Sequence, residues 1–337
     1  MNMNPLVHNR MLMKKNPPSK RYRKGSDFFA WQKEARALLS ELLGLDTFEM
    51  CDECFTIESS GEGDGFYEYR FTVQSEENYF FPMVLRLPLG AGGKLPLLIC
   101  LQGHSTGMHI SLGQPKYERD ENTIKGGDRD FAVRAVKEGF AALCIEQRNF
   151  GVCGSRPDGL PDCEISSFAA IMMGRTTIGE RVWDVSRAID AIEGHFSDVI
   201  DTDRIYLMGN SGGGTATYYA ACIDERIKCA MPSCALCSWE ESIVAVEHCS
   251  CNYVPDIAKY FDMGDLGGLI APRGLVAVSG AEDKIFRRAG VKASFELISG
   301  MYEAAGVPDK CAWVEGPEGH RFYADLAWPV FRKITGE

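Results

Sequence analysis

No stretch of this sequence approaches the roughly 20 consecutive apolar residues that a bilayer-spanning helix needs. No apolar run of roughly 7–15 residues follows the early basic positions either, as a secretory leader would require. The first absence argues against a membrane partner, and the second points to a cytoplasmic protein. Acids are missing from residues 1–26, which hold seven bases (Arg10, Lys14, Lys15, Lys20, Arg21, Arg23 and Lys24). All 47 acids therefore lie further on, in a chain of net charge −11. An acidic body argues against an extended phosphate-binding surface, and so against nucleic acid as a partner. Metal-ligand spacing is lacking as well. Two C-x-x-C pairs occur, Cys51/Cys54 and Cys234/Cys237, with Cys249 and Cys251 near the second, but no histidine stands at a matching distance. No metal is expected. The thirteen cysteines, among them Cys100, Cys144 and Cys229 in apolar runs, read as small buried hydrophobes in a reducing compartment. Repeats and low-complexity segments are absent too.

What remains is one large globular unit. With 337 residues, 45% of them hydrophobic, the chain can bury a sizeable core. Residues 1–25 read as an extended basic arm lying on the acidic body, and residues 26–337 as a single domain. Ser26 or Asp27 can cap a helix whose apolar positions Phe28, Trp31, Ala35, Leu38, Leu39, Leu42 and Leu43 share a face before Gly44 ends it. Cys54–Glu58, Phe66–Val73 and Tyr79–Leu87 then read as an antiparallel meander. From Leu95 onward, short apolar strands alternate with helices, the pattern of a mostly parallel sheet covered on both faces. The strands are Leu97–Leu101, Ala141–Ile145, Ile205–Met208, Cys229–Pro232, Gly274–Val278 and Ala312–Val314. Helices are expected at Arg129–Lys137, Gly179–His195, Gly212–Ile223, Ala289–Ala305 and Tyr323–Thr335. Residues 238–269 have no clean period and are assigned to a cap segment.

The chemistry centres on Gly209-Asn210-Ser211-Gly212-Gly213, which follows an apolar strand and precedes a helix. This is the G-x-S-x-G form of a nucleophile elbow, in which Gly209 and Gly213 let strand and helix pass closely beside a strained serine. Such a serine needs a base, and the base an orienting acid, in the chain order Ser, Asp or Glu, His. Only His248 and His320 lie downstream. His320 follows the last strand in a Gly- and Pro-rich loop, whereas His248 sits in the irregular segment, so His320 is the expected base. For the acid, the turn after Gly274–Val278 offers Glu282 and Asp283; Asp283 has the usual G-x-x-D placement and Glu282 is the alternative. Two backbone N–H groups should face the developing oxyanion, one from Gly212 and one from His104 in the loop after Leu97–Leu101.

Taken together, Leu101-Gln102-Gly103-His104, Glu146-Gln147-Arg148-Asn149-Phe150-Gly151, Asp184-Val185-Ser186-Arg187-Ala188, the serine motif, Gly280 to Asp283 and Gly319-His320 make a recognisable series. From about Tyr67 to the C-terminus the chain resembles α/β-hydrolases of the acetyl xylan esterase and dienelactone hydrolase-like type. The resemblance implies an α/β-hydrolase fold and a serine esterase that needs no cofactor and acts on a small-molecule ester, such as an acetylated sugar or xylo-oligosaccharide. It also implies that Arg148, Asp184 and Arg187 brace the loop beside the nucleophile. This sequence departs from the common pattern in having Gln102 for His, and Gln147 and Asn149 in a motif that usually reads Asp-x-Arg-Gly. Two rival readings are a peptidase of the same fold and an inactive binding protein on it. Cysteine-based dienelactone chemistry is disfavoured by serine at position 211.

Overall fold

In the computed structural model, which describes residues 3–90 and 92–337, the strands are β1 (Thr56–Glu62), β2 (Phe66–Glu76), β3 (Tyr79–Pro88), β4 (Leu95–Leu101), β5 (Ala141–Ile145), β6 (Ile200–Asn210), β7 (Ile227–Ser233), β8 (Gly274–Gly280) and β9 (Cys311–Gly316). Among the described residues they form one sheet in the order β1-β2-β3-β5-β4-β6-β7-β8-β9. The first three pair antiparallel, and β3 joins β5 antiparallel. From β5 through β4 to β9 every pairing is parallel.

Alternation along the strands divides the core in two. Leu97, Ile99 and Leu101 of β4 point to one face, where they pack with Leu39, Val182, Ile189 and Tyr219 of the helices Phe28–Leu43, Thr177–His195 and Gly212–Ile223. Leu98 and Cys100 point to the other face, against Phe131, Ala135, Trp328 and Phe331 of Phe131–Lys137 and Ala324–Thr335. Burial on both faces explains why β4, β5 and β8 read as short apolar runs. No helix among the described residues is long and apolar enough to cross a membrane.

The basic arm departs from expectation: Pro5–Lys15 is a helix rather than extended chain. Its local signals are sufficient. Asn4 Oδ1 accepts from the N–H groups of Leu6 and Val7 at 2.9 and 3.3 Å, Pro5 occupies the first turn, and Lys14 and Lys15 close the last turn where the helix dipole favours cations. The arm lies on the acidic body. Lys14 pairs with Glu240 at 2.7 Å, the Ser19 and Lys20 N–H groups donate to the carbonyls of Lys259 and Tyr260, and Arg21 meets the buried Asp265 at 2.9 Å.

Glu146, directly after β5, is buried; it accepts the Met108 N–H at 2.9 Å and fills the space beside Gly107 and Gly151. Burial pushes its carboxyl up to about 7. Because the folded pKa exceeds the unfolded value, the folded protein holds a proton that the unfolded chain has lost between about pH 4.5 and 7, and stability falls as pH rises through that window. Glu146→Gln keeps the acceptor and removes the titration. Its denaturant midpoint should therefore exceed that of wild type at pH 8 by the equivalent of about 3 kcal/mol and match it near pH 4.5. Equal pH profiles in urea melts would contradict this.

Candidate active site

At the end of β6 the chain turns through Ser211, with φ 56° and ψ −124°, into the helix Gly212–Ile223. A serine at positive φ is strained and persists only where its surroundings hold it. Here the Ser211 N–H donates to the Ser233 carbonyl on β7, and the Thr215 N–H donates to the Ser211 carbonyl, both at 2.8 Å. The flanking glycines are required by close approach: a Cβ on Gly213 would lie 2.3 Å from the Leu101 carbonyl oxygen, and one on Gly209 would lie 2.4 Å from the Gly213 oxygen.

The loop after β4 closes on the same turn. A Cβ built on Gly103 would stand 2.9 Å from Ser211 Cβ, and one on Gly212 would stand 2.7 Å from Cε1 and Nδ1 of His104. The Gly103 backbone and the His104 ring thus lie against the serine turn, and the Gly212 N–H, first in its helix, has no carbonyl partner within it. Gln102, the residue in place of the common histidine, anchors this loop by donating its amide to Ser111 Oγ and to the Arg129 carbonyl, both at 2.7 Å. Gln147 in turn donates to the Gln102 carbonyl. The two departures from the usual motifs therefore support one another.

Asp283 and His320 come together after β8 and β9. His320 Nδ1 lies 2.8 Å from Asp283 Oδ2, while Asp283 Oδ1 accepts the N–H groups of Ile285 and Phe286 at 2.8 and 3.1 Å. Burial works against the Asp283 charge, but the bonds from His320 and the two backbone groups outweigh it and hold the carboxyl below its ordinary range. Phe286 stacks on the imidazole, with ring centroids 5.9 Å apart. Glu282, by contrast, is exposed. His248 bonds Ser242 Oγ at 3.1 Å, and burial together with its histidine neighbours pushes it down to about 4. Ser211 is half-buried, and its hydroxyl makes no hydrogen bond with any described residue, so the serine-to-imidazole link is open in this structure.

Arg148 reaches Asp184 through Nε and Nη2, both at 2.9 Å, and Glu76 through Nη2 at 2.7 Å. Ser75 also bonds Asp184. This buried cluster ties the chain after β5 to the helix Thr177–His195 and to the end of β2. Removing one partner of such a pair typically costs about 3–5 kcal/mol. Arg187 points elsewhere, to Asp190 at 2.8 Å and the Cys51 carbonyl at 3.3 Å, and does not touch the loop beside the serine.

Two groups escaped the sequence reading. Cys234, after β7, lies with its sulfur, the Asp283 carboxylate and the His320 ring nitrogen all within 4.8 Å of one another. Beside the serine, His104 Nε2 is 3.2 Å from Cys251 Sγ, in a cluster that includes Cys163 and Cys249. The Cys249-Ser250-Cys251 spacing was the available signal, but its partners are far away in the chain. A neighbouring cavity of about 520 Å³ is walled by Arg156, Asp162, Glu164, Glu247 and His248; Ser211, Asp283 and His320 are not among its lining residues.

No protein-family profile matches the chain. A structure described as a "putative acetyl xylan esterase" from Bacteroides fragilis NCTC 9343 superposes with a TM-score of 0.85 at 16% identity, over 100% of this chain and 96% of that one. The chain has the α/β-hydrolase fold. Other α/β-hydrolase neighbours include a glucuronoyl esterase from Solibacter usitatus (TM-score 0.69, 17% identity, 95% and 96% covered). An acetyl xylan esterase from Paenibacillus sp. R4 is more distant (TM-score 0.61, 16% identity, 97% and 98% covered). In sequence, the chain is 28% identical over 224 residues to the "Putative hydrolase YtaP" of Bacillus subtilis (strain 168), covering 63% of this chain and 71% of that protein.

Proposed function

We propose that this α/β-hydrolase is a serine carboxylic-ester hydrolase. The observation that carries the reading is the buried Asp283 bonded to His320 at 2.8 Å beyond the ends of β8 and β9, in the same sheet as the β6 end that leads into a serine held at φ 56°. With Nδ1 engaged by the carboxylate, the imidazole keeps Nε2 for the Ser211 proton. Ser211 attacks the ester carbonyl as His320 accepts that proton, and the N–H groups of His104 and Gly212 stabilise the tetrahedral oxyanion. His320 then returns the proton to the leaving alcohol, and water, activated by the same base, hydrolyses the acyl-enzyme.

A carbohydrate ester is the substrate class we favour. The cavity beside His248 sets Arg156, Asp162, Glu164 and Glu247 alongside Phe168 and Tyr253, a mixed lining that offers hydrogen bonds and aromatic faces to a sugar. The chain's structural neighbours named as acetyl xylan and glucuronoyl esterases support the same class. The test is a panel of acyl nitrophenyl esters and aminoacyl amides, with a fluorophosphonate probe alongside. Short esters should be cleaved fastest, and the wild type should be labelled while Ser211→Ala is not. Amides cleaved faster than esters would indicate a peptidase, and an unlabelled wild type an inert scaffold.

A further inference from the structure

We propose that His104, Cys163, Cys249 and Cys251 form a tetrahedral zinc site that fastens the loop beside Ser211 to the walls of the cleft. The donor atoms of these four residues all lie within 4.8 Å of one another, and His104 Nε2 is 3.2 Å from Cys251 Sγ. Zinc bound by three thiolates and an imidazole, at roughly 2.3 and 2.0–2.1 Å, sets donor-to-donor edges of roughly 3.5–3.8 Å, within small side-chain adjustments of this arrangement. A disulfide would need two sulfurs at roughly 2.05 Å, and all thirteen cysteines are unbonded.

Arg181 is an independent observation pointing the same way. Its side chain is 1% exposed, with Nη1 3.5 Å from Cys251 Sγ and Nη2 3.8 Å from Cys163 Sγ. Its other contacts are the Arg148 carbonyl at 2.9 Å and the Phe150 ring; among the described residues it has no carboxylate partner, and its Nε has no acceptor. Of the groups its Nη atoms reach, only the Cys163 and Cys251 sulfurs can carry a negative charge, and a buried guanidinium left without a counter-charge is what proteins avoid. Three thiolates around Zn2+ carry a net charge of about −1, and Arg181 balances it. Soft sulfur ligands in a closed tetrahedron select zinc over hard cations. Binding displaces the three thiol protons into solvent, so affinity rises with pH.

The site links three separate segments: the loop after β4, the loop before the helix Glu164–Met172, and residues 249–251. It does not depend on the esterase reading, because the decisive readout is metal content. Elemental analysis of untagged protein purified without chelator should find about one zinc per chain. Cys249→Ser/Cys251→Ser should lose at least about nine-tenths of it, and Cys51→Ser/Cys54→Ser should retain it. Cobalt exchange into wild type should give the intense visible bands of a tetrahedral thiolate site, which needs no variant to fold. Zinc below about a tenth per chain, zinc retained by Cys249→Ser/Cys251→Ser, or a disulfide within the cluster in intact protein would overturn the proposal.

Discussion

Ser211→Ala and His320→Ala are each expected to lower kcat/KM for a short acyl ester by roughly ten-thousand- to million-fold, and the double variant should be no slower than the worse single one. His320 is held at Nδ1 by a buried carboxylate and packed under Phe286, so its ring cannot turn to serve another group. In the proposed mechanism the hydroxyl and the imidazole act as one unit, so removing either should remove both contributions. Multiplicative losses in the double variant would show two independent contributions. Residual activity near wild type in His320→Ala would show that another base, such as His248, takes its place.

Asp283→Asn should reduce kcat by about ten-thousand-fold with KM changed far less, because an amide presenting N–H to Nδ1 stabilises the wrong imidazole tautomer. The neighbouring Glu282→Gln should stay within about twofold of wild type by the same assay, its side chain being exposed while Asp283 receives three hydrogen bonds. Because Asp283 is buried and its N–H donors come from its own turn, the amide variant should fold, as near-ultraviolet circular dichroism would check. A reversed order of losses would transfer the orienting role to Glu282.

Much of this arrangement was legible in the chain itself. β4, β5 and β8 announce themselves because both faces of the sheet are covered there, so each is buried along its whole length. The helix Phe28–Leu43 carries its cap, its stripe and its terminal Gly44 in the expected places. The helix Pro5–Lys15 escaped because none of its residues is buried, which leaves no apolar stripe to read. Glu164–Met172 escaped for a related reason: Ile165, Phe168 and Met172 are exposed, and the helix buries only Ser167 and Ala170. The cysteine cluster was invisible because ligand motifs are read as short local spacings, whereas His104, Cys163 and Cys251 are brought together only by the folded sheet. Arg187, expected beside the serine loop, is about one helical turn further along than Asp184, and its guanidinium turns to Asp190 and the Cys51 carbonyl instead.

The proposed reacting groups ride on the ends of β6, β8 and β9, while the cavity walls come from residues 156–168 and 247–253. The proposed reacting groups and the wall of the neighbouring cavity are thus encoded by different stretches of the gene. A combinatorial library randomised at Arg156, Asp162, Glu164 and Glu247, none of which hydrogen-bonds Asp283 or His320, would separate changes in ester preference from changes in the chemistry itself.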